Sequence, residues 1–580
     1  MDSKLTYSDY LVFFIYFIIV ASYGYWIYRK RKSREHDSKA FFLAEGSLTW
    51  WAIGASLIAS NISAEQFIGM SGNGFFVGVA VAAYEWIAAL ALVIIAVWFI
   101  PIYLKNKIYT MPQFLKTRYN ETVALIMAIF WLFLYVFVNL TSILYLGAIA
   151  INGLLPGHEY LHTIIVVLAI FAVIITLGGM KVIGYTDVIQ VSVLIIGGFT
   201  TIYIALTVVS EKFGFGKDFL AGFNQLLKDA PDHFKMILEK PDQATVQNAL
   251  AQGPDSASQN YLDKYLILPG LLMYAAGQWI VNLNYWGCNQ YITQRALGAD
   301  LKTARTGILF AALLKLMMPI IVMLPGIAAY VLSKNGQLEV VGGMDGAYSA
   351  VLGFLPTGLK GLSIAALTAA IVASLAGKAN SISTIFTLDI YKKYIRKEAN
   401  ERKLVITGRV VVIIAMIIAV FFTWDDLLGI GGAGGFTFIQ KYTGFISPGV
   451  FAMFILGMFW KRTTGAAAVA GLLTGLGLCI FFNEFAPQVL GHETFLYTAY
   501  PTYKDIHGVK TLVWNIPFLV AMGLSFMFTI IVMVIMSLAG PKINPKAFEL
   551  DSSMFKLSAN TIAMIVVILL ILTALYVKFW

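Results

Sequence analysis

The sequence predicts an all-α polytopic membrane protein, and three observations carry that prediction. Of its 580 residues, 59% are hydrophobic and only 12% charged, about half the charged fraction usual in a soluble domain. The apolar residues gather into runs of about 20, the length a helix needs to cross roughly 30 Å of hydrocarbon. Those runs are continuous, whereas strands of a transmembrane barrel would alternate polar and apolar residues.

Fourteen spans are expected, near residues 8–28, 49–76, 79–104, 124–152, 163–178, 185–208, 266–287, 305–333, 360–391, 404–422, 427–459, 464–483, 512–538 and 558–579. Short basic loops test the count. They follow the first span (Arg29, Lys30, Arg31, Lys32), the third (Lys105, Lys107, Lys116, Arg118) and the seventh (Arg295, Lys302, Arg305). Others follow the ninth (Lys392, Lys393, Arg396), the eleventh (Lys461, Arg462) and the thirteenth (Lys542, Lys546, Lys556). All fall on one side, which the positive-inside rule makes cytoplasmic. The expectation is a multi-pass protein of the plasma (inner) membrane, embedded in the lipid bilayer, with both termini external. The first span has its basic cluster after the apolar run and no Ala-x-Ala site, so it reads as a retained helix rather than a signal peptide. The net charge of +10 belongs to those loops and calls for no nucleic-acid partner. Oligomeric state is not readable from the sequence.

The second span is interrupted at its middle by Asn61-Ile62-Ser63-Ala64-Glu65-Gln66. Polar groups in hydrocarbon need partners. Small residues before the break (Gly54, Ala55, Ser56, Ala59, Ser60) and after it (Gly69, Ser71, Gly72, Gly74) suit a helix packed closely on neighbours and unwound around a ligand. A second interruption is expected where the seventh span ends in Asn282-Leu283-Asn284-Tyr285-Trp286-Gly287-Cys288-Asn289-Gln290. The broken spans are five apart, so a unit starting at the seventh would run opposite to one starting at the second. Paired broken helices heading inverted units point to an alternating-access transporter. The other reading leaves Asn282 and Asn284 hydrated at a helix end. In the repeat reading, a leading helix at 8–28 precedes a first unit at 49–208. A long, partly helical external loop at 209–264 leads to a second unit at 266–459, and three C-terminal helices occupy 464–580.

Further polar residues lie within the spans. Glu85, in Tyr84-Glu85-Trp86, is either a partner for a lysine or an acceptor for a hydroxylated ligand with aromatic faces beside it. Lys315 lies far from both ends of the eighth span, which favours an inward-facing donor over snorkelling. Asp187 begins the sixth span, where it either caps the helix or lines an ion path. Ser374 and Lys378 stand one turn apart on a helix of small residues that includes Ala370 and Ala373. A glycine run at 429–435 precedes Phe436 and Gln440 and serves as either hinge or close contact. All six histidines are assigned to loops, which excludes intramembrane metal sites and most histidine-based catalysis. Cys288 and Cys479 form no disulfide framework. With no arginine expected inside a span, an acid, amides and a lysine suit a neutral polyol better than an anion.

At this level of detail the chain resembles the sodium–solute symporter family, in its sugar-carrying branch. The resemblance rests on Trp50-Trp51-Ala-Ile-Gly-Ala-Ser-Leu-Ile-Ala-Ser-Asn-Ile-Ser-Ala-Glu-Gln-Phe-Ile-Gly-Met70, Tyr84-Glu85-Trp86, Thr186-Asp187-Val188-Ile189-Gln190, and residues 282–295. Asp389-Ile390-Tyr391, Ser447-Pro448-Gly449 and Phe459-Trp460-Lys461 extend it, over residues 40–570. It implies a LeuT-type fold, with two inverted five-helix repeats in helices two to eleven. It also implies hexose hydrogen bonds from Gln66, Glu85, Asn282, Lys315 and Gln440, with Asn61 beside them and Tyr285 stacking as inner gate. Trp286 and Asn289 would flank that gate, and Met70, Tyr84 and Phe436 would form an outer one. Sodium would sit against Ala59, Ile62, Ala370, Ala373 and Ser374. The pattern is broken where Ala373 lacks a hydroxyl and where Lys378 replaces an uncharged residue. Ala88 also lacks a hydroxyl expected beside the sugar. The implied activity is symport of galactose or glucose with sodium. Alternatives are proton-linked or ion-independent transport of a related polyhydroxylated solute, or a sensor that binds without transporting; an enzyme is not expected.

Overall fold

Backbone amides in hydrocarbon must be satisfied within the chain, and this sequence does so almost entirely with helices. The computed structural model describes residues 6–29, 48–63, 65–152, 155, 160–275, 277–340, 343–428, 430, 435–506 and 509–580, without the side chains at 28, 65, 181, 435–438, 505, 506 and 509. Among them, ten helices are long and apolar enough to cross a membrane. The four other expected spans fall on helices that are broken or short. These are 49–76, 163–178 (Leu161–Leu177), 266–287 and 427–459.

The leading helix α1 (Tyr7–Arg29) is tied to a distant element at its outset: the Asp9 carboxylate accepts from the amides of Gly358 (2.7 Å) and Gly361 (2.9 Å). The second span is interrupted as expected. Helix α2 (Trp50–Asn61) stops where Ile62 turns extended (φ −79°, ψ 111°). The amide and hydroxyl of Ser63 then bond to the Gln66 side chain at 3.0 and 3.3 Å instead of to a helical carbonyl. Such local bonding offers the backbone an alternative to the helix. A π-helical turn (Glu65–Met70) and α3 (Ser71–Phe76) complete the span. Gly78 reverses the chain with φ +100°, and a β-carbon there would lie 2.3 Å from the His233 carbonyl oxygen. Only glycine suits that conformation at that distance.

Helix α4 (Ala83–Ile94) carries Glu85 in its first turn. Helix α5 (Met180–Lys212) begins several residues before the expected start at 185. Asp187 is therefore inside the helix and caps nothing, which corrects the capping reading. Helix α6 (Gly277–Cys288) follows an 82° bend from Ala257–Ala275 and remains regular through Asn282, Asn284 and Tyr285. The interruption comes at Asn289, extended at φ −88°, ψ 132°, before α7 (Gln290–Leu297). The expected break thus narrows to its last part, and α6 matches α2 at 12 residues each.

Three arginines assigned to cytoplasmic loops are buried. Arg295 lies within α7 and Arg305 within α8 (Leu301–Val322). Arg118 donates to the carbonyls of Gly457 (2.6 Å), Thr463 (3.1 Å) and Trp460 (3.0 Å), and Arg305 to those of Ala96, Lys556 and Met554. Their forked donors satisfy carbonyls left free where helices end. The expectation that no arginine sits inside a span is wrong at Arg305 and at Arg409, which lies within the helix Glu401–Thr423.

Helix α9 (Leu359–Thr384) runs through the centre of the protein, and nearly all its side chains are buried. Gln440 lies on α10 (Gly435–Gly444), followed by α11 (Ser447–Phe459); residues 429 and 431–434 of the glycine run and the Phe436 side chain lie outside the described residues. The 209–264 segment folds into helices Phe219–Asp229 and Gln243–Gln252, followed by Ala257–Ile267. An antiparallel hairpin, β1 (Tyr500–Ile506) and β2 (Val509–Asn515), bonds to the last of these through Gln259 to Pro501 (3.0 Å) and Thr502 to Asp263 (2.7 Å). The thirteenth span accordingly starts at Phe518, not 512. His162 opens a helix rather than a loop. Helix α12 (Ala559–Phe579) packs behind α4, where Trp86 stacks on Phe579.

Candidate functional site

The α2 break and α6 face a common cavity. Its walls include Asn61, Gln66, Tyr84, Glu85, Asn282, Tyr285, Trp286, Asn289, Lys315 and Gln440. Five helices thus deliver to one place the polar residues that stood apart in the sequence. Met70 is fully buried but does not line this cavity. Trp86 points away from it, against Tyr576 and Phe579, so of the two aromatics flanking Glu85 only Tyr84 faces the ligand space.

The centre of the cavity is an ion pair. Lys315 on α8 donates to the Glu85 carboxylate and to the Asn61 amide oxygen, with its ammonium 5.2 Å from the Trp286 ring centre. Both charges are buried, Lys315 at 1% exposure and Glu85 at 4%. Buried charges are tolerated only when paired and hydrogen-bonded, so the lysine does not snorkel. Asn61 passes the network on, donating to the Tyr285 hydroxyl at 3.0 Å. Tyr285 in turn meets Trp286 and Tyr291 edge-on, with ring centres 5.2 and 5.6 Å away. The pair offers a charged acceptor beside a charged donor with no net charge between them. Around it, amides both give and accept. Such a set can bind several hydroxyls and an apolar ring face without requiring a charged ligand.

Tyr135 spans the α6–α7 interruption. Its hydroxyl donates to the Asn289 side chain (3.2 Å) and accepts from the Gln290 amide (3.1 Å). Tyr135 and the cavity-lining Asn139 lie on a π-helical turn, Leu134–Leu140, a feature that often marks functional sites. Sequence reasoning missed both, although Asn139 is a lone amide in an apolar span and carried the same signal as Glu85.

A second polar cluster joins α2, α5 and α7. Asp187 accepts from Ser56 and lies 3.7 Å from Arg295, whose Nε donates to Ser56 at 2.7 Å. This ties α2, α5 and α7 together. Beside it, α9 presses on α2: a β-carbon at Gly377 would lie 2.5 Å from Arg295 Nη2 and 3.1 Å from Ser60 Oγ. The residues expected around sodium, Ala59, Ile62, Ala370, Ala373 and Ser374, are all buried. Ser374 donates to the Ser60 carbonyl at 3.0 Å, so the hydroxyl meets the end of α2 at a carbonyl between those of Ala59 and Ile62. Among the described residues no cluster of three or more His, Cys, Asp or Glu could hold a metal.

Comparison with known proteins agrees with this architecture. The profile of the sodium:solute symporter family matches residues 41–475. The sodium/glucose cotransporter of Vibrio parahaemolyticus is 40% identical over 597 aligned positions, covering 100% of this chain and 99% of that protein. Human sodium/myo-inositol cotransporter 2 is 33% identical, covering 81% of this chain and 68% of its own length. The structure of a Na+-coupled sialic acid symporter superposes with a TM-score of 0.71 at 19% identity, covering 93% of this chain and 99% of that one, and so shares its fold. The chain is a membrane transporter rather than an enzyme, and it belongs to the sodium:solute symporter family.

Proposed function

We propose that this protein is a secondary active symporter that imports a neutral hexose, galactose or glucose, together with sodium. The observation that carries the reading is the Lys315–Glu85 pair, buried in a cavity walled by Asn61, Gln66, Asn282, Gln440 and the Tyr285 ring. Sugar hydroxyls would replace the contacts these groups make with one another, and the ring of Tyr285 would close the path below. Trp286 and Asn289 flank that gate, while Met70, Tyr84 and Phe436 serve as the outer one. Two relatives named for glucose and myo-inositol, both neutral polyols, support the substrate class.

Sodium would bind where α2 ends against α9, at Ala59, Ile62, Ala370, Ala373 and Ser374, and hold the two helices together in the outward-open state. Asp187 would line its way to the cytoplasm. The spans number fourteen in this reading, as two inverted five-helix repeats of the LeuT type with flanking helices and both termini outside the plasma membrane. Broken helices α2 and α6–α7 would head the repeats, with the site near the midplane between them. An inside-negative potential supplies about 2.3 kcal/mol per charge per 100 mV, which drives accumulation. Sugar and ion act by shifting populations of the two facing states.

The test is uptake of labelled galactose, glucose and myo-inositol by the purified protein in liposomes, with sodium, potassium and pH gradients imposed one at a time. Accumulation of a hexose on a sodium gradient alone is the expected result. Accumulation driven by the pH gradient alone, or none of any of the three solutes, overturns it.

A further inference from the structure

Lys378 reaches the edge of the same cavity from α9. It stands one turn beyond Ser374 on the same face of α9 and is only 2% exposed. Its Nζ donates to the Ser374 hydroxyl at 2.8 Å, and that hydroxyl donates to the Ser60 carbonyl at the end of α2, 3.0 Å away. The ring centre of Tyr291, on α7, lies 4.7 Å from the same ammonium. The hydroxyl of Ser60 is itself buried with no hydrogen-bond partner among the described residues. The α2–α9 junction is therefore an oxygen-bearing contact with a cation already hydrogen-bonded to it.

The charges around this junction decide what it can accept. Arg295 reaches it from α7, close to Ser60 across Gly377, and Asp187 on α5 is engaged by Arg295 and Ser56. Lys378 and Arg295 are thus two buried cations against one carboxylate. A hard cation wants about five or six oxygen ligands, and Ala373 offers no hydroxyl. An ammonium has only three donors to satisfy and suits the sparser set.

We propose that Lys378 is a tethered cation that occupies the ion site of the sodium-free protein, so that sodium binds only by displacing its ammonium into the adjoining cavity. The inference rests on reading the α2–α9 junction as the sodium site. It assigns to Lys378 the control of ion affinity. The ammonium bridges α2 and α9 through Ser374 while the site lacks sodium, and it opposes a second positive charge arriving there.

The test is equilibrium binding of radioactive sodium to the purified protein, with hexose binding followed on the same samples by tryptophan fluorescence. Removing a positive charge adjacent to an ion site should tighten sodium binding about tenfold or more in Lys378→Met. Lys378→Gln, which keeps a hydrogen bond to Ser374, should move the same way and decides the matter should the Met variant misfold. Lys378→Arg should retain the weak binding of the parent, and Ser374→Ala added to Lys378→Met should abolish the gain. The proposal is overturned if the Met or Gln protein binds hexose normally and binds sodium no more tightly than the parent. Failure of the symport reading shows separately, as absence of sodium-driven hexose accumulation in liposomes, and leaves these isotherms to be judged alone.

Discussion

Replacing Glu85 with glutamine tests the cavity at its centre. The substitution keeps the shape and one carbonyl acceptor but removes the charge. Lys315 is then a buried ammonium without its counter-ion, and removing one member of a buried pair costs about 3–5 kcal/mol. The ammonium keeps the Asn61 amide oxygen and the Trp286 ring at 5.2 Å, which places the loss near the low end, about 3 kcal/mol. For the sugar, a hydrogen bond to a charged group is worth about 1.5–3 kcal/mol and one to a neutral group about 0.5–1.5. The difference of about 1–2 kcal/mol raises the half-saturating hexose concentration about 5- to 30-fold. Uptake in liposomes reads the second effect, and melting in detergent reads the first. Adding Lys315→Met removes the orphaned charge, so the double variant should regain thermal stability while its hexose affinity stays poor. Unchanged half-saturation in Glu85→Gln would refute the assignment of the carboxylate as a sugar acceptor.

The second buried pair should behave likewise. Asp187→Asn and Arg295→Met should each lower stability by about 3–5 kcal/mol, and the double variant by less than the sum; melting of the three proteins checks this. His233 is buried, which holds its imidazole down at about 4 from an ordinary 6.5, with Lys264 adding to the effect. The fold therefore favours the neutral ring, a contribution of about 3 kcal/mol that is full above pH 6.5 and lost as pH falls toward 4. Melting temperature should decline over that interval in the parent and more shallowly in His233→Gln. Gly78→Ala should fail to accumulate as folded protein, because its φ of +100° and the carbonyl of His233 at 2.3 Å exclude a side chain; expression followed by gel filtration tests it.

The location of the site was largely legible because hydrocarbon makes polar residues conspicuous. Asn61, Glu85 and Lys315 each interrupt an apolar run, and the structure brings them into one network. What the sequence could not reveal was geometry set by packing at a distance. Arg295 and Arg118 read as loop charges because they follow spans, yet each turns inward to carbonyls or a carboxylate that other helices bring close. Capping stood as one of two readings of Asp187 because apolar periodicity does not mark where a helix begins. The break beyond α6 was placed too early since asparagines were read as breakers, although Asn282 sits within the helix and donates to the Gln278 carbonyl one turn back, at 2.9 Å. Tyr135 had no signal at all, being one aromatic among many.

The back wall of the cavity bears on the order in which the site is assembled. Helix α4 shows Glu85 to the cavity and Trp86 to Tyr576 and Phe579 of α12, and the Phe579 carbonyl also accepts from the Met236 amide at 2.8 Å. During synthesis, residues 559–579 leave the ribosome long after α4 has entered the bilayer. In that interval Trp86 lacks its cover of Tyr576 and Phe579, and an indole tolerates an apolar or interfacial surrounding. Lys315 emerges earlier than α12 and can neutralise the carboxylate first. Chain order thus lets the charged centre pair before the segment bearing Tyr576 and Phe579 is there to close the wall behind Trp86.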